Sequence, residues 1–232
     1  MKIPYTKEHG AWVMFGIAFI TGTAKAGMIT AVGLIVFLSL ALFLMAKAPV
    51  ATLLRRGEKS GLPFIALYII LGSAGCIYSI IRKPDLIFLY GAGVCLIILY
   101  FIFGRKSLPV LSEASAMAIM GLVASIAASL NSDVPGQLYL WVMFFVFYFA
   151  SSFRVRFTMM KYRIISGVYS SLILLLSVIG AYTGRAIFIS FLPLFEDLYS
   201  SVKGKKEEFK RIGIIETLKS IVFAALIIAI KG

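Results

Sequence analysis

Leu86-Ile-Phe-Leu-Tyr-Gly-Ala-Gly-Val-Cys-Leu-Ile-Ile-Leu-Tyr-Phe-Ile-Phe103 carries no charge from end to end, and it is fenced by Arg82-Lys83-Pro84-Asp85 before and Gly104-Arg105-Lys106 after. A run of this length and composition, coiled as a helix, reaches across most of the ~30 Å hydrocarbon core of a bilayer. Similar runs lie on both sides, at about 9–24, 28–46, 62–81, 110–130, 138–153, 165–183, 186–202 and 213–230. Each gap between them holds helix-interrupting or charged residues, such as Lys25 to Gly27, Arg55-Arg56-Gly57 and Asn131 to Gly136. The chain as a whole is 61% hydrophobic and 14% charged, against ~45–50% and ~25% for soluble domains. The expected fold class is therefore all-α, a polytopic transmembrane bundle of about nine helices. It forms one integral membrane domain over 1–232, with irregular backbone confined to the ends of the spans.

Charge distribution predicts the orientation. The net charge is +13, from 23 Lys and Arg against ten acids. With a cytoplasmic N-terminus, the inner stretches hold Lys2, Lys7, Lys47, Arg55, Arg56, Lys59, Arg105, Lys106, Arg154, Arg156, Lys161, Arg163, Lys203, Lys205, Lys206, Lys210 and Arg211. The outer stretches hold only Lys25, Arg82, Lys83, Arg185 and Lys231. By the positive-inside rule this predicts a multi-pass protein of the cytoplasmic (inner) membrane with its N-terminus inside. The basic balance then reflects an anionic leaflet, and no nucleic-acid partner is expected. Cys76 and Cys95 fall inside apolar runs and read as small hydrophobes. Two lysines precede the first run without a small-residue cleavage site, so that run reads as a helix rather than a removable signal.

Polar groups suited to chemistry cluster at the predicted inner face. Glu8-His9 opens the first span beside Gly10 and Trp12, and His9 is the only histidine. An imidazole with an adjacent carboxylate can move a proton, so His9 and Glu8 are the candidate catalytic pair. Interfacial capping by Glu8 is the competing structural role. Arg55 and Arg56, after the second span, and Arg154, Arg156, Lys161 and Arg163, after the sixth, are candidate anion binders, since guanidinium forks match phosphate and carboxylate. Glu216 is a candidate partner of these arginines; with Lys219 three residues on it also reads as a local ion pair admitting two charges to the interface. Glu196 and Asp197 interrupt the eighth run and are expected near the cytoplasmic surface. A lone histidine without a Cys or His partner predicts no metal site, and no cofactor is expected.

Ile3-Pro4 and Glu8-His9-Gly10-Ala11-Trp12-Val13-Met14 resemble the HGAW-type N-terminal signature of the YwiC-like bacterial membrane proteins. Length, helix number and the basic stretch after helix six extend that resemblance over most of the chain. A more distant resemblance is to the UbiA-type intramembrane prenyltransferases. It implies nine helices, an inside N-terminus, and active-site motifs after helices two and six. Those enzymes hold Mg²⁺ through paired aspartates, whereas Asp85, Asp133 and Asp197 lie outside both connections here. Hard divalent cations need such oxygen ligands, so a UbiA-like arrangement would come without Mg²⁺-dependent prenyl transfer.

Together these readings lead to a protein whose basic cytoplasmic-side pocket binds the headgroup of an anionic amphipathic membrane lipid or isoprenoid. As an enzyme it would be a metal-independent transferase. The competing class is a non-catalytic transporter or lipid-binding subunit of a membrane assembly. Nothing in the sequence specifies an oligomeric state.

Overall fold

The computed structural model describes residues 9–106, 108–131, 138–160, 163–182, 186–203 and 209–230. All the regular structure among them is helical: α1 (His9–Lys25), α2 (Ala31–Arg56), α3 (Leu62–Arg82), α4 (Leu86–Arg105), α5 (Pro109–Asn131), α6 (Leu138–Met160), α7 (Arg163–Tyr182), α8 (Phe195–Lys203) and α9 (Phe209–Ala229). A short 3-10 turn, Lys59–Gly61, precedes α3, and a longer 3-10 segment, Ala186–Leu194, leads into α8. Among the described residues, five helices are long and apolar enough to cross a membrane. The architecture is that of a multi-pass membrane bundle.

Several boundaries depart from the hydropathy reading for local reasons. α2 begins where Thr30 accepts a hydrogen bond from the Gly33 amide at 3.1 Å, and it ends at Gly57, whose left-handed backbone (φ 69°) suits glycine. Pro49 lies inside α2 rather than ending it, a position that membrane helices tolerate. Arg55 and Arg56 are consequently the last turn of a helix and not part of a loop. In the same way α6 continues to Met160, so Arg154 and Arg156 are helical, and α9 starts at Phe209, a turn before its apolar run. The eighth segment gains length with few residues because a 3-10 helix rises ~2.0 Å per residue. Its nine 3-10 residues and nine α residues give a length of roughly 30 Å.

Short connections make successive helices alternate in direction. α2, α4, α6 and α8 finish at the basic end, where α1, α3, α5, α7 and α9 begin. α5 is the central pillar, packed against α1, α2, α4 and α6. Small side chains allow the close approach: a Cβ on Gly121 would stand 2.8 Å from the Trp141 carbonyl oxygen and 2.9 Å from the Phe145 amide nitrogen. The main core joins α1, α5, α6 and α9 through Phe15, Phe144, Phe147, Tyr148 and Phe223, and the Tyr148 hydroxyl donates to the Met14 carbonyl at 2.8 Å. A second core, Val36, Leu86, Leu89, Leu122, Ile126 and Leu130, joins α2, α4 and α5 in the half away from the basic end. At that far end Lys25 donates to the Ile230 carbonyl at 2.5 Å and Lys83 to the Ser129 carbonyl at 3.1 Å. These lysines serve last-turn carbonyls of α9 and α5 that have no partner within their own helices.

Candidate functional site

The sequence-predicted residues divide sharply. Glu8 and Lys161, and the side chains of His9, Arg55, Arg154, Arg156 and Arg163, lie outside the described residues. His9 opens α1, Arg55 is in the last turn of α2, Arg154 and Arg156 are in the last two turns of α6, and Arg163 opens α7. α2 packs chiefly on α3, α6 packs on α5 and α7, and both helices touch α5. Arg56 is exposed, with Glu58 at 3.9 Å, an ion pair of little energetic weight.

Glu216 is the exception. It lies in the bundle interior, and its partners are not arginines. Its Oε1 receives a hydrogen bond from Lys219 Nζ at 2.8 Å, and its Oε2 receives one from the hydroxyl of Ser151 on α6. The same Lys219 Nζ stands 2.5 Å from Asp197 Oδ1 and 3.7 Å from Glu196 Oε2 on α8. Ser200 donates to Glu196 at 2.7 Å, and the Ser220 hydroxyl to the Glu216 carbonyl at 2.8 Å. Asp197 is 1% exposed, and Glu216 and Lys219 are each 6% exposed. The Glu216 and Lys219 pair is thus the local i,i+3 ion pair expected from the sequence, and it is shared with the acids of the eighth segment rather than with the arginines. Register brings the groups together. With α9 beginning at Phe209, Glu216 is two turns inside and Lys219 nearly three, and the first turn of α8 delivers two acids to that depth.

Asp197, Glu196, Lys219 and Ser151 escaped the sequence reading as site residues. A signal was available. Two acids interrupt one of the last apolar segments and a lysine interrupts the next. Each is costly in hydrocarbon alone, so opposite charges on neighbouring spans are expected to pair.

Three carboxylates, those of Glu196, Asp197 and Glu216, each offer an oxygen within 4.8 Å of the others. That spacing could suit a hard cation, but Lys219 already places its ammonium among them. A metal would have to displace a protonated lysine, so this donor set does not fit a resident metal. The four groups form a buried ionic cluster with formal acid excess, closed toward the far end by aromatic rings. Phe223, one turn beyond Lys219, stacks on Phe147 with centroids 4.0 Å apart and packs against Phe144 at 5.1 Å and Phe191 at 5.6 Å.

Comparison with curated proteins and with solved structures returned no match. The likeness to intramembrane prenyltransferases therefore rests on helix number and motif placement alone. The model of the YwiC-like protein family matches residues 5–128, from the approach to α1 to near the end of α5 and short of the ionic cluster. By that match, the chain belongs to the YwiC-like family.

Proposed function

We propose that this protein, with its N-terminus in the cytoplasm, binds the anionic headgroup of an amphipathic lipid or isoprenoid at its basic end. The observation that carries the reading is the placement of Arg55 and Arg56, Arg105, and Arg154 and Arg156 in the last turns of α2, α4 and α6, three helices that finish at the same end of the bundle. Cations there complement the helix dipoles and anchor the topology. Guanidinium groups in addition offer phosphate a planar fork of donors. A metal-independent transferase at the same end would use His9 and Glu8 as its acid-base pair. The test is native mass spectrometry of protein extracted in mild detergent. Anionic lipid should be enriched over its share of the membrane, and Arg154→Gln with Arg156→Gln should weaken retention by about ten-fold or more, the scale of a charged hydrogen bond. Absence of enrichment overturns the reading.

A second reading, an ion-coupled carrier, is favoured by the buried ionic cluster, because ionisable groups inside a membrane bundle mark ion and proton routes. The aromatic layer of Phe147 and Phe223 lies across the way from that cluster to the far end, so a carrier would have to open it. Proteoliposomes under a pH gradient decide this: a carrier acidifies or alkalinises the lumen, and Asp197→Asn abolishes the flux.

A further inference from the structure

Ala186–Leu194 winds as a 3-10 helix for nine residues, although runs beyond three or four are uncommon because the hydrogen-bond geometry is poorer. The winding shows in the burial. Phe191, Leu194 and Asp197 are buried, while Ile189, Leu192 and Phe195 are exposed. Such a repeat of three matches the eclipsed i, i+3 side chains of this helix type. The buried stripe starts from Phe188: a Cβ on Gly180 of α7 would stand 2.3 Å from the Phe188 ring, so only glycine admits that ring against α7. The Phe188 and Phe191 rings lie 6.5 Å apart, and Phe191 packs on Phe223 of α9. At the other end of the stripe Asp197 meets Lys219.

Hydrophobicity does not choose this winding. From Ile187 to Phe195 every side chain except Ser190 and Pro193 is hydrocarbon, and lipid tails accept such side chains on any face. Asp197 is different, because a carboxylate turned toward lipid is costly. An α-helix rises ~1.5 Å per residue against ~2.0 Å, and takes about 3.6 residues per turn against about 3.0. Held at Phe188 and rewound as an α-helix, the chain as far as Phe195 would shorten by about 3–4 Å and turn by roughly 140°. That turn takes Asp197 away from Lys219 and begins to part Phe191 from Phe223. The ion pair therefore selects the 3-10 form. Pro193 weighs on the same side, since inside an α-helix its ring presses on the carbonyl four residues back.

We propose that the eighth span is a two-state winding switch latched by the ion pair of Asp197 and Lys219: when the pair opens, Ala186–Leu194 rewinds from 3-10 to α and loosens the aromatic layer at Phe223. The switch goes beyond the carrier reading, which needs that layer to open, and it holds without transport. The experiment places nitroxide labels at Tyr182 and Tyr199, both exposed, in the full chain carrying Cys76→Ala and Cys95→Ala. Their separation is read in nanodiscs by electron–electron double resonance. Asp197→Asn should bring in a population shorter by about 3–4 Å, and adding Pro193→Ala should make it dominant. The exchanged pair, Asp197→Lys with Lys219→Asp, should return the wild-type distance. Labels at Val168 and Tyr182, both on α7, should keep their separation in all variants. Should Asp197→Asn not yield monodisperse protein, Asp197→Leu with Lys219→Met removes both charges of the pair, and the same shortening is expected. An unchanged distance in every variant that folds overturns the proposal. Collapse of all of them overturns it too, because the pair would then hold the fold and not the winding. Shortening without flux in proteoliposomes would refute the carrier and leave the switch standing.

Discussion

Ser151 of α6 donates its hydroxyl hydrogen to Glu216 of α9, which ties helices distant in sequence to one buried ionic cluster. That bond orients a carboxylate whose other oxygen is held by Lys219. Three helices, α6, α8 and α9, are therefore fastened at one depth by polar contacts, inside a bundle otherwise packed by apolar and small side chains.

Removing Lys219 leaves three carboxylates without their common ammonium. Lys219→Met is expected to destabilise the protein by about 3–5 kcal/mol, the cost of leaving buried charge uncompensated. Adding Asp197→Asn to that variant should return part of the loss, because a neutral amide removes one of the stranded charges. Thermal unfolding in detergent, read as a double-mutant cycle, checks both outcomes. A loss in the double variant equal to the sum of the losses from Lys219→Met and Asp197→Asn alone would mean that the two groups act independently.

Chelation should leave the protein unchanged. Lys219 supplies the positive charge among Glu196, Asp197 and Glu216, and no metal is needed to hold them. Melting temperature and lipid retention should match with and without EDTA. A Mg²⁺-dependent rise in melting temperature that disappears in Asp197→Asn would refute this assignment.

Helix approach at Gly121 gives an internally controlled test. A methyl group there would press on the Trp141 and Phe145 backbone, while a methyl on Gly91 meets nothing within 4 Å. Gly121→Ala should lower the melting temperature and broaden the size-exclusion peak. Gly91→Ala should do neither, and should slightly favour the helix, since alanine is the better helix former.

Orientation is open to a direct measurement. With an inside N-terminus and nine crossings, a reporter fused after Gly232 should read as non-cytoplasmic. A cytoplasmic signal would mean that the segment from Ala186 to Lys203 enters and leaves by the same face.

Hydropathy reached the helix number because runs such as Leu86 to Phe103 admit no soluble alternative, and their ends are marked by charge and glycine. It misplaced the ends of α2, α6 and α9. Arg55, Arg154 and Lys210 look like loop residues on a hydropathy scale, yet the backbone stays hydrogen-bonded past the hydrocarbon edge. The match to the YwiC-like family over 5–128 agrees with the HGAW-type signature at His9 to Trp12, although the resemblance had been expected over more of the chain. Glu216 and its i,i+3 partner Lys219 were legible in the sequence, but Ser151, which bonds the other carboxylate oxygen, was not. Pairing between Asp197 and Lys219 depends on how α8 is wound, and a switch from 3-10 to α geometry at Phe195 is not written in periodicity.

The charges shared by α8 and α9 also bear on how the chain enters the bilayer during synthesis. An acid or lysine at the centre of a span raises its insertion free energy by about 2.5–3.5 kcal/mol, and the eighth segment has two acids with only a short apolar lead. Presented by itself to the insertion machinery, that segment is a poor substrate. Lys219 arrives only when the ninth segment emerges, and it can then neutralise Asp197 within the hairpin. The last two spans are thus expected to leave the insertion machinery together, with the ninth acting as an intramolecular escort for the eighth. A chain truncated after Lys210 would lack Lys219 and is expected to leave the acids of the eighth segment without their countercharge, open to quality-control proteolysis.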